Sequence, residues 1–566
     1  MSTTYLVSYI IFAIIVLSTI NYFYIKKPKF KRAIENEEPS EEQQMSVGKI
    51  MFVLLFGMFV AILNQTVLNV ALPVMMTDLN VSATTGQWLL TGFMLVNGML
   101  IPISAFLVET FGFRKLFIAA MVSFTLGSLI CAVSGTFVLI MVGRVVQAIG
   151  AGILMPLGMN IFMTVFPPEK RGAAMGTMGI AMILAPALGP TLSGWIVQNF
   201  DWHIMFYGMV VFGVIDILFA IRWFKIYNQL SKPTPDILGI IYSSLGFGSL
   251  LYGFSEAGTD GWGSAKVIVS LIIGVIFLVI FTWRQLKIEK PLLDLHVFKF
   301  NIYTFTLIIN SIVTMAMYGG MLLLPIYLQN IRGFTPIESG LLLLPGSLVM
   351  GFMGPIAGKI FDKHGIRVLA IVGLSITTIA TYEFTKLTGQ TPYKTILTFY
   401  IIRSFGMSLI MMPIMTAGMN QLPMKLISHG TALSNTIRQV AGSIGTALLV
   451  TIMTQQTTNH LDDYGHALTK TDLILSNSFN QIGQGVSAAL GIPSGASDTV
   501  STSLIYAQAA KTSTIHGIND AFLIATILAF VATVLSFFLQ KPKQNSLNEE
   551  LPTNESANNQ RTEIEG

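Results

Sequence analysis

Charged side chains are scarce in this sequence. Asp, Glu, Lys and Arg make up 11% of its 566 residues, whereas soluble globular domains carry about 25%. Hydrophobic residues make up 53% of the chain. A chain with so few charges cannot cover a water-facing surface of this size, so a soluble fold is excluded and lipid is the expected solvent.

Residues that build catalytic or metal centres are also few. The single cysteine, Cys131, lies inside an apolar run and allows neither a disulfide framework nor a thiolate metal site. The seven histidines are dispersed without metal-ligand spacing, and the sequence has no glycine-rich loop ending in Lys-Ser or Lys-Thr to hold a nucleotide phosphate. We therefore predict no enzymatic activity, no metal and no cofactor.

Long apolar runs are abundant instead. Each has about 20 residues, enough to cross about 30 Å of hydrocarbon as a helix. The runs are apolar on every face, unlike the alternating strands of a membrane barrel, so we predict an all-α polytopic membrane protein. One N-terminal span is expected at about 5–25. Fourteen main spans are expected at about 50–74, 88–108, 116–134, 137–164, 173–195, 204–224, 237–256, 266–283, 303–328, 340–360, 367–385, 395–417, 430–453 and 518–540.

These spans divide the chain into parts. An N-terminal transmembrane anchor is predicted at 1–34, followed by an acidic cytoplasmic linker at 35–47. The remaining parts are a six-helix bundle at 48–226, an inserted two-helix hairpin at 227–299, a second six-helix bundle at 300–543 with a long outer loop at about 455–516, and a polar cytoplasmic tail at 544–566.

The distribution of Lys and Arg predicts the orientation. A basic cluster at 26–32 follows the first span and should stay cytoplasmic, which puts the N-terminus outside. Threading the main spans alternately puts about 24 Lys and Arg in cytoplasmic segments and about six outside. We expect a multi-pass protein of the cell membrane with a cytoplasmic C-terminus. The net charge of +5 is therefore explained by the basic cytoplasmic segments and does not indicate a nucleic-acid partner.

The two halves of the main body repeat one another. Glu109 and Asp362 begin similar loops and are 253 residues apart, while Arg144 and Arg403 are 259 residues apart. A duplicated six-helix unit explains this register, and transporters built in this way bind substrate between their halves. The repeated loops read Glu109-Thr-Phe-Gly112-Phe-Arg114-Lys115 and Asp362-Lys-His-Gly365-Ile-Arg367.

The fifth main span combines small residues with prolines. It contains Gly176 and the stretch Ala185-Pro186-Ala-Leu-Gly189-Pro190-Thr-Leu-Ser193-Gly194. Small residues let helices approach closely and proline bends a helix, so Gly176, Pro186, Gly189, Pro190 and Gly194 predict a hinge helix, with ordinary packing as the alternative.

This stretch resembles the antiporter motif of the fourteen-span drug–proton antiporters of the major facilitator superfamily, the EmrB/QacA-like multidrug exporters. The family has glycine where this chain has Ala185 and Ser193. The resemblance covers about residues 48–543. It implies the major facilitator fold, with two six-helix bundles and the inserted hairpin, to which this chain adds its extra N-terminal transmembrane helix.

Both repeated loops resemble the superfamily's signature after its second helix. A carboxylate at this position can accept hydrogen bonds from backbone amides of a facing helix end and pair with a nearby arginine. Such contacts require closure of the halves, so we predict a conformational latch on the cytoplasmic side, with a merely topogenic loop as the alternative. Its predicted residues are Glu109, Gly112, Arg114, Lys115, Asp362, Gly365 and Arg367.

Arg144 is the most informative single charge, because seven apolar residues precede it within its span. An arginine inside a span faces a cavity or a partner, and the resemblance ties this one to proton coupling. Arg403 and Arg438 are further candidates for coupling or cavity charge. The predicted polar cavity residues are Asn64, Asn69 and Gln147, with interhelical hydrogen bonding as the alternative role.

The proton carrier is left open by the sequence. The family often has an acid where this chain has Asn64, and asparagine does not titrate. Asp216 and Glu383 are carboxyls within spans, on helices that the resembled fold puts at the periphery. Asp216 is expected to pair with Arg222 or to contact the inserted hairpin.

The expected function is export of hydrophobic or amphiphilic small molecules, a multidrug-resistance activity driven by proton antiport through alternating access. The alternative is a lipid or glycolipid flippase on the same fold. The alternatives from other functional classes are a membrane enzyme and a receptor that does not transport. The expected partners are small-molecule substrates, protons and the lipid bilayer, and the chain is expected to work as a monomer.

Overall fold

The computed structural model describes residues 47–224, 226, 236–258, 260–288, 291–467 and 494–539. These residues form helices without strands, as predicted. The first half contains α1 Val47–Asp78, α2 Ala83–Leu100, α3 Ser104–Phe111, α4 Phe113–Ala132, α5 Phe137–Val165, α6 Pro168–Asn199 and α7 His203–Trp223. The hairpin contains α8 Ile237–Ala257 and α9 Ala265–Lys287. The second half contains α10 Asn301–Ile326, α11 Pro336–His364, α12 Ile366–Glu383, α13 Tyr393–Ser408, α14 Met411–Met419, α15 Ile427–Ala467 and α16 Ser494–Ser536.

The number of membrane-crossing helices agrees with the fourteen predicted main spans. Among the described residues, thirteen helices are long and apolar enough to cross a bilayer, and the bent pair α2 and α3 makes a fourteenth. The predicted anchor at 1–34, nearly all of the linker at 35–47 and the tail at 544–566 lie outside the described residues.

Two of the predicted spans are interrupted within their length. The span predicted at 88–108 bends by 58° between α2 and α3, where Pro102 interrupts the backbone hydrogen bonding. The span predicted at 395–417 is one membrane-crossing segment, Tyr393–Met419, in which a short turn separates α13 from α14. Pro413, near the start of α14, has no N–H to offer the carbonyl of Leu409.

The helices pack as two groups with the hairpin beside them. Apart from α6 and α11, helices α1–α7 contact mainly one another, as do α10–α16. The most extensive contact between any two helices joins the groups, between α6 and α11. The hairpin helix α8 packs against both α2 and α15, so it contacts both groups.

The last two long helices extend far beyond a bilayer. Helix α15 has 41 residues and α16 has 43, which corresponds to roughly 60 Å each at about 1.5 Å per residue. Their ends therefore continue into the predicted outer loop at 455–516. Imidazole Nε2 of His460 lies 2.9 Å from a carboxylate oxygen of Asp520 and joins the two extensions.

Candidate functional site

Helix α5 brings Arg144 into the interior of the first group. A methyl group added at Gly143 would lie 2.9 Å from the carbonyl oxygen of Gly127 on α4, and one added at Gly150 would overlap the carbonyl oxygen of Ala120. Backbones at this separation leave little room for lipid or water between α4 and α5. Arg144 is consequently fully buried, as the sequence predicted.

Arg144 is the centre of a polar network that joins four helices. Its Nε donates to the carbonyl oxygen of Leu89 on α2 at 3.1 Å, and its Nη1 donates to Oε1 of Gln147 at 2.9 Å. The amide of Gln147 donates in turn to Ser128 on α4 at 2.7 Å and to Asn64 on α1 at 3.4 Å. The predicted residues Arg144, Gln147 and Asn64 are therefore brought together, and Gln147 is the link between the other two.

The guanidinium of Arg144 does not use all of its hydrogen-bond donors. Its Nη2 atom is buried and has no hydrogen-bond partner among the described residues. The guanidinium carbon lies 4.1 Å from the ring centre of Phe93 on α2, a distance at which a cation–π interaction offsets part of the cost of burying the charge. One donor thus stays available for a further group in this part of the protein.

The other predicted polar residues are not part of this network. Asn69 is exposed, while Asn64 five residues earlier is buried, as expected from their separation around the helix. Arg403 is buried in the second group, where its Nε donates to Thr381 at 3.3 Å and its Nη2 donates to the carbonyl of Ala316 at 3.5 Å. Arg438 donates to its neighbour Asn435 at 3.0 Å. The three arginines therefore have separate sets of partners.

The repeated loops lie at one end of the helix bundle, which we call the latch end. Gly112 and Gly365 adopt φ angles of 76° and 78°, which disfavour any residue with a side chain and explain why both loops have glycine here. Both carboxylate oxygens of Asp362 accept backbone hydrogen bonds from α6, from the N–H of Gly172 at 2.9 Å and of Ala173 at 3.0 Å. Asp362 therefore joins the second group to the first.

The first-half loop makes a different connection. Oε1 of Glu109 lies 3.0 Å from Nε2 of His429 at the start of α15, and Nδ1 of the same imidazole accepts the N–H of Asp294 at 3.2 Å. The predicted partner Arg114 donates to the carbonyl of Ile221 on α7 at 2.9 Å. Lys115 and Arg367 are exposed. His429 was not among the predicted residues, and it lies in the first turn of α15.

Two further contacts close the latch end, and the sequence indicated neither. Nδ2 of Asn160 on α5 donates to Ser428 on α15 at 2.6 Å. Nη1 of Arg171 donates to Asn420 at 3.1 Å. Together with Asp362, these contacts cross between the two groups, so the latch end is closed in this structure.

The predicted hinge helix α6 crosses α11 at unusually close range. A methyl group added at Gly176 would overlap the backbone of Gly354, and one added at Gly354 would lie 2.7 Å from the carbonyl oxygen of Gly176. Gly172 and Gly358 meet in the same way one turn away. The sequence analysis identified Gly176 but not Gly354 and Gly358, although their four-residue spacing is a known signal for close helix approach.

The remaining predicted hinge residues lie further along α6. Pro186 and Pro190 stay within the continuous helix, so the bend expected there does not break α6. A methyl group at Gly189 would overlap the hydroxyl of Thr66 on α1, and one at Gly194 would lie 2.9 Å from Ile337 on α11. Helix α6 is thus held between its own group and the opposite one.

Three comparisons with known proteins bear on this arrangement. A family model described as "Major Facilitator Superfamily" matches residues 54–446. The chain is 50% identical to the "Uncharacterized MFS-type transporter YhcA" of Bacillus subtilis, over 90% of this chain and 95% of that protein. It is 43% identical to the "Lincomycin resistance protein LmrB" of Listeria innocua, over 74% of this chain and 88% of that protein.

A solved structure has the same fold. The human organic anion transporter MFSD10 superposes with a TM-score of 0.56 at 11% identity, covering 88% of this chain and all of that chain. At this identity the likeness concerns the fold alone. The resemblance deduced from the hinge and latch motifs is confirmed by these comparisons.

Proposed function

The chain belongs to the Major Facilitator Superfamily, and from this premise we propose that it exports hydrophobic or amphiphilic small molecules by proton antiport. The two six-helix bundles at 48–226 and 300–543 rock about the contact between α6 and α11, so that the pathway opens alternately at the latch end and at the opposite end. The hairpin at 227–299 follows this motion from its place beside α2 and α15.

The observation that carries this proposal is the double hydrogen bond from α6 to Asp362. It joins α6 of one group to the last turn of α11 in the other. In our proposal it exists only while the latch end is closed. A charged acceptor at backbone N–H groups is a strong but local interaction, which a change of state can break in one step. Contacts of this kind are the ones that alternating access requires.

The proposed substrate class is supported by the relatives and by the buried network. Relatives that include the lincomycin resistance protein carry drug-resistance names, and the fold is that of a transporter. Arg144 adds a charge inside the first group with one donor free, as expected for a pathway that handles protons or polar groups of a substrate. Proton antiport supplies the driving force, since the sequence has no nucleotide-binding loop.

The protein is a multi-pass membrane protein, and we propose the cell membrane as its location. In our proposal the latch end faces the cytoplasm, because the basic residues of the sequence concentrate in the segments that lie there. The structure then represents a state closed on the cytoplasmic side. Single chains are proposed to be the functional unit.

Purified protein in proteoliposomes tests the proposal. A fluorescent amphiphile is followed with an imposed proton gradient, without one, and after the gradient is collapsed by an ionophore. We expect transport only with the gradient and its loss in Arg144→Ala at equal reconstitution. Gradient-independent movement in both proteins would contradict proton antiport, while movement of labelled lipids without movement of any drug-like probe would favour the flippase alternative.

A further inference from the structure

Asp216 is a buried acid for which the fold provides no partner. It lies on α7 and is fully buried. Neither carboxyl oxygen has a hydrogen-bond partner among the described residues. The structure thus corrects the expectation of a pair with Arg222, which is exposed, and α7 packs mainly against α4 and α1.

The surroundings of Asp216 are close-packed and apolar. Met209, Gly213 and Ala220 are the other buried positions on this face of α7. The carboxyl faces Gly57 of α1, where an added methyl group would lie 2.6 Å from Oδ2 of Asp216. The same methyl group would lie 3.2 Å from the sulfur of Met121 on α4, so glycine is required at position 57 for the carboxyl to fit.

No charged group among the described residues forms a hydrogen bond with this carboxyl. Two basic groups lie near the latch end of α7, where Arg114 donates to the carbonyl of Ile221 and Lys49 lies over the ring of Trp223. Five residues separate Asp216 from Ile221, which is about 7 Å along the helix. The remaining titratable groups of α7 and of its neighbours α1, α4 and α6 are Asp78, Lys115, Cys131, Glu169, Lys170, Arg171, His203, Tyr207 and Arg222.

An ionised carboxylate without hydrogen bonds is costly in such surroundings, whereas a protonated carboxyl is tolerated. Asp216 therefore holds a proton in this closed state. Oδ2 of Asp216 occupies the space beside Gly57 that a side chain on α1 would take, so the loss of the proton would require water or a cation to enter between α1 and α7. Protonation of Asp216 is thus linked to the packing of these two helices.

The same two neighbouring helices connect Asp216 with the Arg144 network. Gly57 and Asn64 are seven residues apart on one face of α1, and Met121 and Ser128 are seven apart on α4. Seven residues correspond to about 10 Å along a helix. Asp216 faces Gly57 and the neighbouring Met121, whereas Asn64 and Ser128 contact Gln147, which holds Arg144. A shift of α1 relative to α4 and α7 would therefore change the surroundings of Asp216 and of the Arg144 network together.

We propose that Asp216 is the proton-binding carboxyl of the antiport cycle, which rests on the proposed function above. The carboxylate takes one proton from water on the side opposite the latch end, and an O–H bond forms. When the latch end opens and water enters between α1 and α7 from that side, this bond breaks and the proton passes to water at the latch end. No oxidation or group transfer is involved.

Infrared spectroscopy and transport test the proposal on the full-length protein. The carbonyl band of protonated carboxyl groups is recorded near neutral pH for the unchanged protein, Asp216→Asn, Asp216→Glu and the control Glu383→Gln. Glu383 is another acid inside a span, but it already pairs with Lys386 at 2.9 Å. Gradient-driven efflux from proteoliposomes is measured on the same four proteins, together with substrate binding in detergent.

We expect Asp216→Asn to lose one protonated-carboxyl band and to slow gradient-driven efflux about tenfold or more, with substrate binding retained. Asp216→Glu should keep a band and part of the coupled transport, and Glu383→Gln should match the unchanged protein. A band unaffected by Asp216→Asn, or gradient-driven efflux at the unchanged rate in that variant, would overturn the proposal. If the unchanged protein itself shows no gradient-driven efflux, the proposed function fails instead.

Labelling of the unchanged protein covers the case in which Asp216→Asn does not fold. A hydrophobic carbodiimide reacts with protonated carboxyl groups inside membranes, and mass spectrometry of peptides locates the adduct. Adduct formation at Asp216 in parallel with the loss of gradient-driven efflux supports the proposal. Inactivation with an adduct elsewhere and Asp216 unmodified would overturn it.

Discussion

Arg144 has a charge that its own helix cannot satisfy, because the flanking residues are apolar and the backbone carbonyls are used within the helix. Its partners come from α2 and, through Gln147, from α1 and α4. The position therefore combines a high cost of burial with a network that spans most of the first group. Residues of this kind are sensitive even to conservative replacement.

We expect Arg144→Lys to reduce gradient-driven efflux about tenfold or more, since an ammonium cannot reach both Leu89 and Gln147 with the geometry of the guanidinium fork. The measurement is the initial rate in proteoliposomes at matched protein content. Arg403→Lys serves as the control in the second half. Its hydrogen bonds are longer, at 3.3 and 3.5 Å, so a smaller loss is expected there. Equal losses in the two variants would contradict a special role for Arg144.

At the scale of single helices, α6 and α11 depend on backbone contact. Their glycines meet where each helix would otherwise present a side chain, and the latch carboxylate of Asp362 lies one turn beyond them. Close backbones allow two groups of helices to pivot without displacing bulky side chains. The contact is therefore a suitable axis for the proposed rocking.

Gly354→Ala should impair transport strongly, because its methyl group would lie 2.7 Å from the carbonyl oxygen of Gly176 and force α6 away from α11. Gly351→Ala on the same helix is the matched control. A methyl group there meets nothing within 4 Å. Efflux rate and the midpoint of thermal unfolding are measured for both variants. Transport by Gly354→Ala at the rate of Gly351→Ala would rule out a sterically critical crossing.

The hairpin is closed at its base by one carboxylate. Asp236 caps α8 by accepting the N–H of Gly239 at 2.9 Å, and it pairs with Nη2 of Arg284 on α9 at 2.8 Å. Burial opposes ionisation of Asp236, but the hydrogen bonds from Arg284, Gly239 and Gln285 outweigh it and hold the pKa of this carboxyl below its ordinary value. Its stabilising contribution is therefore present above the ordinary pKa and is lost as the pH falls through the lowered value.

Asp236→Asn is expected to lower the stability of the purified protein by about 1–2 kcal/mol at neutral pH, because the amide cannot accept from all of these donors. Part of the destabilisation of the unchanged protein by acid should be missing in the variant. Thermal unfolding measured between neutral and strongly acidic pH tests both points. Asp260→Asn, at the exposed pair with Lys266 near the other end of the hairpin, should leave the curve nearly unchanged.

At the scale of the whole molecule, the closed latch end corresponds to one of the two states of the proposed antiport cycle. Contacts between the groups at this end include those of Asn160 with Ser428 and of Arg171 with Asn420. Each is a single hydrogen bond, so the closed state can open at a cost comparable to substrate binding.

Joining the groups covalently at this end should stop transport. We expect a disulfide between Asn160→Cys and Ser428→Cys, with Cys131→Ser as background, to abolish efflux and a reductant to restore it. The control joins Thr378→Cys and Thr533→Cys, whose hydroxyl oxygens lie 3.2 Å apart within the second group. That bond should leave efflux intact. Undiminished efflux by the first cross-linked protein would contradict alternating access.

The sequence by itself determined the helical class, the number of main spans, the glycines of both latch loops and the burial of Arg144. These features follow from local constraints, because a bilayer of fixed thickness demands apolar runs of fixed length and a left-handed turn demands glycine. The breaks in two spans also had local signals, Pro102 and Pro413, but proline in a membrane helix does not by itself say whether the helix bends or breaks.

Only the tertiary structure decided which distant residues meet. Asp216 faces Gly57, Glu109 meets His429, and Gly354 lies on Gly176, all between helices that are apolar on every side. Such helices carry almost no pattern that encodes their rotation and register, because lipid and protein neighbours are equally apolar. Their packing depends on shape and on a few polar groups, which become visible only when all the helices are assembled.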